Sequence, residues 1–201
     1  MKRKIVIATM NNHKASEIKA LIGDRYEVMT QALFSLPSVP ETGKSFEENA
    51  LIKAYEVAQK TDLLTLGDDS GLEVDLLGGE PGVYSARYAG IHSTDDENNK
   101  KLIKELEKYR GQRIAARFHS VIALVDPSIN DPKIFHGTWE GRVTFDQKGS
   151  HGFGYDPIFY IDELGCTAAE LSQRDKNIHS HRAKAMKKFC NYLTKNTQIM
   201  K

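Results

Sequence analysis

Apolar positions along this chain fall into two periods, and the polar residues cluster where one run gives way to the next. Residues 4–9 form a short apolar run that ends at Thr9 and passes into Asn11, Asn12, His13 and Lys14. That is the pattern of a buried strand emerging into a polar turn. A short helix to about Ile22 follows. Residues 36–44 are rich in turn formers and predict a loop. Phe46, Ala50, Leu51, Ala54, Val57 and Ala58 recur at helical spacing and predict a helix over 45–60. Ser45 and Glu48 stand at capping-box spacing at its start. Residues 63–66 read as a short strand that ends in the turn Asp68-Asp69-Ser70-Gly71, and 72–77 as another. Gly78 to Gly82 is a turn, and 94–109 a charged, mostly exposed helix. Residues 113–126 and 134–145 predict two long strands, paired antiparallel. Residues 158–161 are a short strand, and a final helix starts at Ser180, with Met186, Phe189, Cys190 and Leu193 at helical spacing.

Strands alternating with helices, then long strands, then a terminal helix predict an α/β fold bordering on α+β, with a mixed sheet. The chain of 201 residues is long enough for one sizeable core or two closely joined lobes. A net charge of +1 gives no bulk attraction to nucleic acid or to an anionic membrane. The longest apolar runs fall far short of the roughly 20 residues that span a bilayer. The apolar stretch behind Met1 to Lys4 stops too soon for a signal peptide. A cytoplasmic protein with no membrane or nucleic-acid partner is expected. Cys166 and Cys190 form no CxxC pair, and the six histidines other than His181 show no metal-ligand spacing.

Five polar clusters carry candidate chemistry. Thr9, Asn11 and Lys14 lie where a strand turns into a helix, a place where backbone N–H groups bind anions; a capped turn with a solvated lysine is the other reading. Asp68, Asp69 and Ser70 offer hard oxygen donors of the kind magnesium takes, or a solvated acidic turn. Successive strand residues face opposite ways, so one aspartate can meet a metal while its neighbour points elsewhere. Glu48 is either the reciprocal partner of Ser45 in a helix cap or a second metal ligand. Lys53 flanks the apolar stripe of the same helix, within reach of a phosphate or an acid. Phe153, Gly154, Tyr155 and Asp156 combine an aromatic face for a nucleobase with glycines that permit close approach, or pack as a turn. Lys176, with His181 and Arg182 in the first turn of the last helix, could meet a ligand carbonyl or phosphate, or form an ordinary polar helix start.

Taken together and in order, the segments IVIATMNNHK, SFEENALIKA, GDDSGLEVDLLGGEPGVYSARYAG, FGYDPIFY and AELSQRDKNIHSHRAKA resemble the inosine triphosphate pyrophosphatase family across nearly the whole chain. The resemblance implies one nucleoside triphosphate pyrophosphatase domain over 1–201. It implies an elongated mixed sheet flanked by helices, with two lobes around an active-site cleft. It also implies Mg2+-dependent hydrolysis of ITP, dITP and XTP to the monophosphate and pyrophosphate, and a homodimer. Carried over by motif, Thr9, Asn11 and Lys14 would hold the triphosphate, and Glu48 and Asp69 the metal, with Asp69 the proton acceptor. Ser70 would contact substrate, and Lys53, from its own place on the helix, is expected to do so as well. Phe153, Gly154, Tyr155 and Asp156 would embrace the base, with Lys176, His181 and Arg182 near its 6-oxo group. Gly67 stands where relatives commonly carry alanine and is expected to loosen the strand end before the acids.

Overall fold

The computed structural model describes residues 2–196. In chain order the elements are β1 (Arg3–Ala8), α1 (Asn12–Ile22), β2 (Tyr26–Thr30), α2 (Phe46–Thr61), β3 (Thr65–Val74), α3 (Asp95–Leu106), β4 (Ile114–Val125), β5 (Lys133–Val143), β6 (Phe159–Ile161), β7 (Cys166–Thr167), α4 (Gln173–His179) and α5 (His181–Lys195). The strands make one seven-stranded sheet in the order β2-β1-β3-β4-β5-β6-β7. β1 runs parallel to both β2 and β3, with Ile5 opposite Val28 and Ile7 opposite Leu66. β6 runs antiparallel to β5 and to β7. The sheet is therefore mixed, and the fold is α/β as the alternation predicts.

The chain forms two compact units. One runs through Asp69 and includes Ser120–Gly137 and the chain from His181 on; the other is Ser70–His119 with Thr138–Ser180. β3, β4 and β5 each pass from one unit into the other within the strand.

In the first unit the sheet is covered on both faces, which is why β1 is an uninterrupted apolar run rather than an alternating one. Ile5, Ile7, Leu66, Ile122 and Leu124 pack with Ile18 and Ile22 of α1 and with Ala185, Met186, Phe189 and Leu193 of α5. Val6 and Ala8 pack with Val57 of α2. The second unit has its own core, in which Leu72, Val74, Phe118, Trp139 and Phe159 meet Leu102 and Leu106 of α3.

Four elements differ from expectation. β3 is one strand of ten residues, not two short strands about a turn, so the two aspartates sit inside the sheet. β2, β7 and the seven-residue α4 were not anticipated. The helix over 45–60 forms with Ser45 as its N-cap, accepting from the Glu48 N–H at 3.1 Å. Gly67 does not loosen β3. A Cβ there would lie 2.0 Å from the Ala50 carbonyl oxygen of α2, so glycine is what lets the helix press onto the strand.

Candidate functional site

Within the first unit, β3 presents two carboxylates to two different surroundings. Asp68 is fully buried. It accepts from the Arg182 guanidinium at 3.1 and 3.3 Å and from Ser120 Oγ at 3.1 Å, and it pairs with Lys14 Nζ at 3.0 Å. Arg182 also donates to Glu17 at 2.6 Å. Burial alone would raise the Asp68 pKa, but Arg182 and Lys14 outweigh it and hold the group far below the usual carboxylate range. Asp68 is thus a fixed negative charge that joins α1, α5 and the sheet.

Asp69, the next residue, meets α2. It accepts from Lys53 Nζ at 2.8 Å and from Asn49 Nδ2 at 3.3 Å. The same lysine donates to Glu41 Oε1 at 3.0 Å. Two carboxylates therefore converge on one ammonium group. Burial pushes the Asp69 carboxyl up; Lys53 and Lys14 pull it down and Glu41 adds to the rise, leaving it above the ordinary value. Lys53 is raised despite burial, because Asp69 and Glu41 stabilise its charge. A carboxylate with raised proton affinity suits a general base.

The loop before α1 has the character of an anion site. The Asn11 carboxamide accepts from the N–H groups of His13 (2.9 Å) and Lys14 (3.1 Å), and the Asn11 N–H donates to Thr9 Oγ1 at 3.1 Å. The helix N-terminus carries partial positive charge, and Lys14 adds a full one.

The second unit holds the aromatic set. Phe153 is half-buried, with the Lys176 ammonium 4.8 Å from its ring centroid. Lys176 Nζ donates to Asp156 at 2.5 Å, and the Phe153 N–H donates to the same carboxylate at 3.0 Å. Gly152 has a φ of 77°, and a Cβ there would lie 2.0 Å from the Asp156 carboxylate, so this glycine is required twice over. Ser70, where β3 enters this unit, is half-buried.

Comparison with known proteins adds to this geometry. The Ham1 family model matches residues 5–192. The chain belongs to the Ham1 family. A dITP/XTP pyrophosphatase of Vibrio cholerae is 47% identical over 191 residues, covering 92% of this chain and 94% of that protein. One of Methylococcus capsulatus is 47% identical over 187 residues, covering 92% and 93%. Among solved structures, a HAM1 protein from Coxiella burnetii superposes with a TM-score of 0.88 at 42% identity, covering 96% of this chain and 99% of that one.

Several of the sequence-predicted residues have partners within the fold. Glu48 is exposed and caps α2: its carboxylate accepts from the Lys44 N–H at 2.6 Å. The acid beside Asp69 is Glu41, which the sequence reading passed over because it lies in a loop with no periodicity. Its one signal was an acid between Pro40 and a Thr-Gly pair just ahead of the helix that carries Lys53. Tyr155 belongs to the core of the second unit and donates its hydroxyl to the Ser85 carbonyl at 2.8 Å. Arg182, expected as a donor toward a purine, is fully buried with its guanidinium engaged by Asp68 and Glu17, and His181 beside it is buried too. A first helical turn reads as exposed only when nothing packs over it, and here β3 and α1 do.

Proposed function

We propose that this Ham1 chain hydrolyses non-standard purine nucleoside triphosphates (ITP, dITP and XTP) to the nucleoside monophosphate and pyrophosphate, as a magnesium-dependent cytoplasmic homodimer. The observation that carries the reading is the convergence of Glu41 and Asp69 on Lys53 beside the Lys14 anion loop. The names of the Vibrio and Methylococcus relatives support the substrate class.

The donor set fits a divalent cation. Glu41 and Asp69 are hard oxygen ligands held toward one cationic group, and magnesium takes one or two carboxylates with water and substrate phosphates. When bound, magnesium would supply charge neutralisation to the triphosphate. Thr9, Asn11 and Lys14 bind the phosphates, using the N-terminus of α1. Asp69 accepts a proton from water as the water oxygen bonds to the α-phosphorus. The bond from the α-phosphorus to the bridging oxygen breaks, and pyrophosphate leaves with that oxygen. Lys14 and Lys53 offset the negative charge that builds up, and positioning with electrostatics is the main resource for such transfers. Phe153 stacks on the base. Lys176 favours an acceptor oxygen at the purine 6-position over the amino group of adenine, which separates ITP and XTP from ATP; rejection of GTP, which shares the 6-oxo group, uses another contact.

Pyrophosphate release from ITP, XTP, GTP and ATP, with magnesium and with excess EDTA, tests this. Magnesium-dependent release from ITP and XTP, far above GTP and ATP, is expected. Asp69→Asn should remove turnover while the circular dichroism spectrum stays native; wild-type rates in that variant would take the proton-acceptor role from Asp69.

A further inference from the structure

The Phe153 loop is held from outside itself. Gly154 is gripped on both its polar groups: its N–H donates to the Asp95 carboxylate at 2.6 Å, and its carbonyl accepts from the Asn99 amide at 3.0 Å. Asp95 and Asn99 are four residues apart on α3 and so share one face of the helix. The Phe153 N–H is taken by Asp156. Gly154 sits at a φ of 62°, a conformation that most side chains disfavour. The backbone on either side of the Phe153 ring is therefore fixed by partners in α3 and by Asp156.

Two features set these contacts apart from ordinary helix-to-loop packing. First, α3 does not need Asp95 to begin. Thr94 and Glu97 already form a complete capping box, with Thr94 Oγ1 accepting from the Glu97 N–H and the Glu97 carboxylate accepting from the Thr94 N–H at 2.7 Å. Second, Asn99 is buried and its Oδ1 has no hydrogen-bond partner among the described residues. That orphaned acceptor carries a desolvation penalty that a leucine would not incur. What the amide does make is the bond to Gly154.

We propose that Asp95 and Asn99 are positioning residues for base recognition. They hold the Phe153–Gly154 backbone in its binding geometry before substrate arrives, so the ring meets the purine without an ordering cost at the moment of binding. Neither residue touches the purine; both act through Phe153. The inference rests on the proposal that Phe153 takes the base.

Steady-state kinetics of ITP hydrolysis, with a double-mutant cycle, test it. Phe153→Ala should raise KM about tenfold with kcat little changed, the expected loss for one base–aromatic stack. Asp95→Ala should raise KM about threefold or more, again with little change in kcat. Asp95→Asn keeps an oxygen acceptor and should restore the wild-type KM. In the Phe153→Ala background, Asp95→Ala should add nothing, because its effect passes through the missing ring. Asn99→Leu, close in shape, should repeat the pattern and serves as the deciding arm if Asp95→Ala folds poorly. An unchanged KM in Phe153→Ala would overturn the base assignment, and this inference with it. A raised KM in Phe153→Ala alongside unchanged values in Asp95→Ala and Asn99→Leu would overturn the positioning role alone. So would additive effects in the double variant.

Discussion

Glu41 and Glu48 are chemically identical and seven residues apart, yet their surroundings differ. Glu48 is exposed on a helix cap, whereas Glu41 shares Lys53 with the buried Asp69. Glu41→Gln should lower kcat/KM for ITP about 100-fold and raise the magnesium needed for half-maximal rate. Glu48→Gln should leave both within about twofold and lower stability by no more than about 1 kcal/mol. Equal losses in the two variants would return Glu48 to the metal. The Asp68 cluster makes a claim about acid stability. Its folded pKa lies below the unfolded value near 3.9, so the stabilisation is fully present above that pH and is lost as pH falls through and below it. Asp68→Asn should cost about 3–5 kcal/mol at neutral pH, because it strips Arg182 of a buried partner. The thermal midpoint of the variant should also fall less steeply below pH 4 than that of the wild type. A parallel fall would place the acid sensitivity elsewhere. At this scale the residue types of the site were legible in the sequence, and the alternation at Asp68 and Asp69 was too. The partners were not, since Arg182 lies 114 positions from Asp68 and nothing in local spacing points to it.

At β3, polar residues buried in mid-strand are what the periodicity misreads. β3 runs unbroken through Asp68, Asp69 and Ser70 because each charge finds a partner from α1, α2 or α5. Hydropathy registers only that the apolar run stops. β1, α2 and α5 were legible because an apolar run or stripe marks each of them, and the buried Asn49, Lys53, His181 and Arg182 do not interrupt that spacing. β2 was missed because none of its five residues is fully buried, so no strong alternation marks it. The tight seat of α2 on β3 gives this scale its own test. Gly67→Ala should destabilise by about 1–3 kcal/mol, since the added methyl must push the Ala50 carbonyl away. The same displacement moves Lys53 and Asn49 relative to Asp69, so activity should fall by more than the unfolded fraction explains. A fully stable, fully active Gly67→Ala would show that the helix yields freely.

At the scale of the whole molecule, each unit has an apolar core of its own, with Phe189 in one and Phe159 in the other. Three strands continue from one unit into the next with no loop at the border. Phe189→Ala and Phe159→Ala should each cost about 3–5 kcal/mol. Each should lower the midpoint of a single calorimetric transition; two resolved transitions would mean that the units melt apart.

The two adjacent aspartates of β3 have a consequence for natural variants. One peptide bond separates a residue bound into the buried ion-pair cluster from the residue proposed to accept the proton. A substitution at Asp68 should act through abundance, with the protein cleared by cellular quality control before it can work. The same substitution at Asp69 should leave a normal amount of inert protein. Cells carrying either would lose the activity alike, but only the first loss would respond to a small molecule that stabilises the fold.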